Sequence, residues 1–174
     1  LLLRANAVRR KAKGIPLRSR ILSRPELLGK VASLTPGAAN WSNRQPLFRV
    51  LMEHTLGVHR EKLLPEFHGE TFVDWYRKQR AAPGDSSRAV FFATCSVNYN
   101  NPQIGKDTLA VYAANGLALP VVQQNCCGMP ALESGDVDLA RRLARANVDA
   151  LLPHVRAGKK ILIADPTCSY MMRK

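Results

Sequence analysis

The chain has 174 residues, of which 46% are apolar, and a formal net charge of +13 at pH 7. That length and apolar content argue against disorder and allow one sizeable core, alone or with a helical extension. No apolar run approaches the roughly 18 residues a spanning helix needs, so no transmembrane helix is predicted. Leu1-Leu2-Leu3-Arg4 lacks an initiator Met and is too short for the apolar region of a secretory signal, and the chain stops just after a motif, so part of a longer protein is expected.

The charge is uneven. Residues 1–80 carry 16 Lys/Arg against 6 Asp/Glu, and the remainder carries 10 against 7. This basic half reads as short helices. Leu1 to Lys13 forms one, with Arg9, Arg10, Lys11 and Lys13 at the end where cations suit the helix dipole, and Gly14-Ile15-Pro16 stops it. Ser23 is predicted to cap the next, with Arg24 and Pro25 in its first turn and Leu27, Leu28, Val31 and Leu34 on one face. Thr35-Pro36-Gly37 then ends it. A third helix, Pro46 to Leu56, places Leu47, Val50, Leu51 and Leu56 on an apolar side before Gly57. A fourth runs from Thr71 to Arg80, with Phe72, Trp75 and Tyr76 at helical spacing, read as packing rather than a cofactor box.

Lys and Arg on such helices first suggest a solvated face, and second a basic surface that docks on an acidic subunit or an anionic membrane. Nucleic acid is disfavoured, because no helix-turn-helix, RNP-type aromatic or zinc-finger pattern accompanies the charge. His54, His59 and His68 are too irregularly spaced for a helical metal pair.

Ala81-Ala82-Pro83-Gly84-Asp85-Ser86-Ser87 reads as a linker, which divides the chain into a basic helical segment (1–80) and a second domain (88–174). Beyond it, strand and helix alternate. Ala89 to Thr94 is a strand ending at Cys95. A loop over residues 96–105 leads to a helix from Lys106 to Asn115, followed by a strand from Leu119 to Gln124. Gly135-Asp136 opens a longer helix to Arg156, and Lys159 to Ala164 is a third strand. The predicted fold class is α/β: a small parallel sheet with crossover helices, preceded by an all-helical basic segment.

Cys95, Cys126, Cys127 and Cys168 each lie just past one of these strands, so three parallel strand ends would gather all four thiols at the carboxyl edge, where ligands collect. The composition suits reduced thiols better than two disulfides. Buried cysteines are often inert, but that explains an adjacent pair poorly, since neighbouring strand residues point to opposite faces. A metal site is inferred, with Gly128 expected to let the backbone approach sulfur closely.

Cys95, Cys126-Cys127-Gly128 and Cys168, together with Asn101-Pro102, Gly128-Met129-Pro130, Gly135-Asp136 and Asp165-Pro166-Thr167-Cys168-Ser169, resemble one copy of the cysteine-rich CCG domain. That family includes the B subunit of heterodisulfide reductase, the C subunit of anaerobic glycerol-3-phosphate dehydrogenase, and the iron-sulfur subunits of glycolate and lactate oxidases. Residues 1–80, through Gly14-Ile15-Pro16-Leu17-Arg18 and Leu34-Thr35-Pro36, are similar to the helical connector between ferredoxin and CCG domains. The resemblance implies an iron-sulfur cluster, 4Fe-4S by expectation, held by Cys95, Cys126, Cys127 and Cys168. It also implies a peripheral cytoplasmic subunit on the inner face of the membrane. Such a subunit would carry electrons from a flavoprotein dehydrogenase to a quinone, a membrane cytochrome or a disulfide acceptor.

Three departures accompany the resemblance: no ferredoxin-type cysteine run, one CCG copy, and Cys168-Ser169-Tyr170-Met171 where the family ends in Cys-x-x-Cys. A thioether thus stands where a fifth thiolate would help hold a non-cubane cluster. The alternative is a non-redox module in which the same four cysteines close one structural zinc site.

Overall fold

Proline sets where most of the helices begin. The computed structural model describes residues 2–79, 88–122 and 125–173, so the predicted linker lies outside the described residues. Among the described residues the elements run α1 (Leu2–Lys13), α2 (Leu17–Leu22), α3 (Pro25–Leu34), α4 (Pro36–Arg44), α5 (Pro46–Leu56), α6 (Phe72–Lys78) and β1 (Ala89–Phe92). A π-helical turn (Ser96–Asn100), α7 (Pro102–Ala114), α8 (Met129–Ser134), α9 (Val137–Arg156), β2 (Lys160–Ile163) and α10 (Pro166–Arg173) follow. Pro25, Pro36, Pro46, Pro102, Pro130 and Pro166 stand in first turns, where a missing N–H costs nothing and φ is already set.

This explains several differences from the sequence reading. Thr35-Pro36 ends α3 but also starts α4, and Pro102 starts α7 four residues before the predicted Lys106. Ser23 does not cap α3. It closes α2, its hydroxyl donating to the Arg20 carbonyl at 3.3 Å, while Arg24 precedes α3. Two other caps stand as polar side chains at helix starts require: Thr71 Oγ1 accepts from the Asp74 N–H at 3.1 Å, and Asp136 Oδ1 from the Leu139 N–H at 3.0 Å.

β1 is the middle of the sheet. It pairs in parallel with β2 in the register Ala89↔Lys160, Val90↔Ile161, Phe91↔Leu162 and Phe92↔Ile163, and on its other side Phe91 bridges Val121. The predicted strand from Leu119 to Gln124 is therefore reduced to one bridge, with Gln123 and Gln124 outside the described residues. Pro120 stops the pairing on its N-terminal side. It has no N–H to give, so its carbonyl accepts from Phe91 N–H at 2.7 Å, and Val122 N–H donates to the Phe91 carbonyl at 3.1 Å.

Alternation along β1 builds two cores. Phe91 packs with Phe72, Ala93, Val97 and Leu119 beside residues of α6 and α7. Val90 and Phe92 point the other way, to Val122, Leu151 of α9 and Met172 of α10. Burying each of Phe72, Phe91 and Phe92 contributes about 1.5–3 kcal/mol. Phe72, from the basic half, thus serves the same core as the strands.

The leucine faces predicted for the early helices turn outward: Leu27, Val31, Leu34, Leu47 and Leu51 are exposed. What α3 presents inward is Gly29, where a Cβ would sit 2.4 Å from the Tyr99 ring, so the close approach selects the small side of the helix. On α5 the buried residue is Arg49, whose Nε donates to the Arg60 carbonyl and whose Nη2 donates to the His59 carbonyl, both at 2.9 Å. One of the basic residues is therefore an internal tie rather than part of a solvated face. No helix among the described residues is long and apolar enough to cross a membrane.

Candidate thiolate centre

The turn after β1 positions Cys95. Buried Thr94 anchors it, accepting from Val97 N–H through its hydroxyl at 3.3 Å and from Asn98 N–H through its carbonyl at 2.8 Å. Asn98 Oδ1 in turn accepts from Val73 N–H at 2.9 Å, tying α6 to this turn.

The vicinal pair sits in the loop between Val122 and α8, not on a strand, so both thiols can face one site. Gly128 follows with φ +88°, a conformation that L side chains resist. The nearest atoms a Cβ would meet there are Ala140 Cα and O at 3.6 Å. The left-handed turn is what requires glycine, and the Gly128 backbone acts on the Cys126 thiol, lowering its pKa against the other effects, in keeping with the expected approach to sulfur.

Asp165 organises the fourth cysteine. Its Oδ1 accepts from the N–H groups of Thr167 at 2.9 Å and Cys168 at 3.2 Å, so Cys168 is held in the first turn of α10.

Together these turns bring all four sulfurs into one connected group. Cys168 Sγ donates to Cys127 Sγ at 3.2 Å, the titration of the Cys126 thiol is set by its neighbours Cys127 and Cys95, and all four are free thiols. The hydrogen bonds to Cys127 and Cys95, then burial, push the Cys126 thiol up, and the bond to Cys127, then burial, does the same for Cys168. Cys127 is pulled down because Cys126 and Cys168 both donate to it, with backbone N–H groups adding to the effect against burial. Negative charge therefore settles on Cys127.

Two residues that the sequence reading did not single out grip the Cys126 peptide. Asn147 of α9, 1% exposed, donates through Nδ2 to the Cys126 carbonyl at 3.0 Å and accepts from Asn125 N–H at 2.8 Å. Its signal was an Asn inside the Leu139, Leu143, Leu151 stripe at four-residue steps. Glu26 of α3 accepts from Cys126 N–H at 3.0 Å through Oε2. Nothing local marks that residue. A cavity of about 410 Å³ lies beside the group, with Cys95, Cys126 and Tyr99 in its wall and Lys30, Asp74 and Arg77 around it.

The four free cysteines form a sulfur-only donor set. Among the described residues no three His, Cys, Asp or Glu side chains are grouped as ligands of a metal ion, and four sulfur donors are the set that both a zinc ion and an iron-sulfur cluster take. In an iron-sulfur cluster each thiolate ligates its own iron, so the sulfurs need only share a wall. Cys95 and Cys126 line the wall of the cavity, and Cys127 meets Cys168 at 3.2 Å.

Met171 lies on α10, half-buried, and its neighbour Met172 packs on the Val90 and Phe92 core. A neutral thioether is a weaker iron ligand than thiolate, so Met171→Leu, which conserves volume, is expected to leave metal content and visible spectrum nearly unchanged. Loss of the spectrum without unfolding would make Met171 a ligand.

The C subunit of anaerobic glycerol-3-phosphate dehydrogenase from Escherichia coli strain K12 is 31% identical over 160 residues, which is 90% of this chain and 40% of that protein. An iron-sulfur protein of Methanocaldococcus jannaschii is 33% identical over 69 residues, 39% of this chain and 14% of its own length. The D subunit of dihydromethanophenazine:CoB–CoM heterodisulfide reductase from Methanosarcina barkeri is 29% identical over 117 residues, 62% of this chain and 28% of that protein. The chain thus spans less than half the length of these relatives. No solved structure gives a significant match. Residues 89–173, which hold all four thiols, match the CCG family model, described as a cysteine-rich domain, so this part of the chain is a CCG domain.

Proposed function

We propose that this chain forms the cluster-binding part of an iron-sulfur electron-transfer subunit. The observation that carries the reading is the contact of Cys95, Cys126, Cys127 and Cys168 at the carboxyl edge of a parallel sheet. An iron-sulfur cluster held there would supply one-electron transfer. The chain's own residues hold the thiolates and shield them: Cys126 and Cys127 are buried, and Asn147 and Asp165 fix the backbone that presents the thiols. No Gly-x-Gly-x-x-Gly or Walker sequence occurs, so hydride and phosphoryl chemistry belong to a partner.

The names of the relatives, which place them in a dehydrogenase and a heterodisulfide reductase, support a role within a multi-subunit oxidoreductase. On this reading a flavoprotein dehydrogenase partner donates electrons, and a quinone, a membrane cytochrome or a disulfide accepts them. The basic helices α1 to α5 dock on an acidic partner or on the anionic inner face of the cytoplasmic membrane, with their exposed leucines at the contact.

Purification under anaerobic conditions, with iron, sulfide and zinc analysis, tests the centre. Brown protein with broad visible absorption, iron and acid-labile sulfide is expected. Colourless protein with one zinc would replace this reading with the structural one.

A further inference from the structure

Glu26 stands 100 residues from Cys126 in the chain, yet its carboxylate accepts the Cys126 peptide N–H at 3.0 Å. The other carboxylate oxygen accepts from Lys30 Nζ at 2.7 Å, one turn along α3. The Glu26 side chain is 21% exposed and that of Lys30 62%, so the anion is held inward and the cation outward. Both residues line the cavity that contains Cys95 and Cys126, and both line a smaller one, about 160 Å³, between Cys126 and α9 residues Leu139 and Leu143. The packing of Gly29 against Tyr99 fixes the depth of α3, and with it the position of the carboxylate. Burial and the nearby Glu26 charge push the Tyr99 phenol up to about 12.

Peptide N–H groups beside cluster-ligating cysteines ordinarily serve to stabilise sulfur as it gains negative charge on reduction. Here the N–H of Cys126 is given to a carboxylate instead, and that carboxylate adds a negative charge at the same place. Both effects disfavour an incoming electron. Lys30 opposes them by compensating the charge.

We propose that Glu26 and Lys30 set the reduction potential of the centre held by the four cysteines, Glu26 lowering it and Lys30 raising it. This rests on the reading that those thiols hold an iron-sulfur cluster. It gives the basic helical half a role in the electron-transfer chemistry itself, since α3 carries both residues.

The test is a redox titration of the anaerobically prepared chain, wild type and variants, with iron and sulfide measured in each. Glu26→Gln keeps the size and an acceptor for Cys126 N–H but removes the charge, so its midpoint potential is expected above wild type. Lys30→Met leaves the Cys126 contact intact and is expected below it. Opposite shifts distinguish a charge effect from general loosening, which would move both variants the same way. If Glu26→Gln does not hold the cluster, Lys30→Met decides alone, and an unmoved or raised potential overturns the proposal. Fully loaded proteins with unmoved potentials overturn it while leaving the cluster reading intact. Wild-type chain without iron and sulfide overturns both.

Discussion

Replacing Cys127 with serine is expected to abolish cluster binding, with iron, sulfide and visible absorption all falling to a small fraction of wild type. Cys127 accepts from Cys168 Sγ at 3.2 Å and its thiol is pulled down by its sulfur neighbours, so on the proposed reading its loss removes a ligand at the point where the sulfurs meet. A serine hydroxyl is a poor substitute for thiolate at iron. On the proposed reading the other three cysteines act with it as one set, so Cys95→Ser, Cys126→Ser and Cys168→Ser should each impair loading. Thermal unfolding separates ligand loss from misfolding, because a single hydroxyl in place of sulfur costs only about 1–3 kcal/mol if it is left unpaired. Four variants that fold and each retain full iron would defeat the shared centre.

The second large effect is expected at Asn147. Its side chain satisfies the Asn125 N–H and the Cys126 carbonyl at once, deep inside the domain. Asn147→Leu keeps the branched shape, with some overpacking, and leaves both backbone groups without a partner, at about 1–3 kcal/mol for each. For a chain of this size each kcal/mol lowers Tm by about 2–4 °C, so a clear fall is predicted. The cysteine loop should also loosen, seen as faster labelling of Cys126 and Cys127 by a thiol reagent. Asn147→Asp should rescue little, since a carboxylate accepts from Asn125 but cannot donate to the Cys126 carbonyl. Wild-type Tm and labelling in Asn147→Leu would show that the clamp does not hold the pair.

Features set by near neighbours in the chain were legible in the sequence. The helix from Pro46 ends at Leu56 because Gly57 takes a left-handed φ of +65°, and Asp136 caps the long helix through an atom only three residues from its donor. Proline misled where a single residue carries two messages: Thr35-Pro36 reads as a stop, but the same ring is suited to begin a helix. The thiols were legible as strand-end residues because the apolar runs ending near Phe92 and Ile163 mark where the sheet stops.

Only the tertiary structure decided how those thiols are held. Asn147 reaches Cys126 across 21 residues and Glu26 across 100, and side-chain spacing along one helix says nothing about which peptide its inward face will meet. The orientation of α3 was settled the same way. Its leucines form an apolar stripe by spacing, yet the Tyr99 ring admits only a residue without a Cβ, so Gly29 and Glu26 turn inward and Leu27, Val31 and Leu34 face out. The sequence determined where secondary structure starts, stops and delivers its cysteines, because those depend on local backbone preferences. Packing against distant residues determined which polar groups are buried beside them, because burial belongs to the pair of surfaces that meet and not to either segment alone.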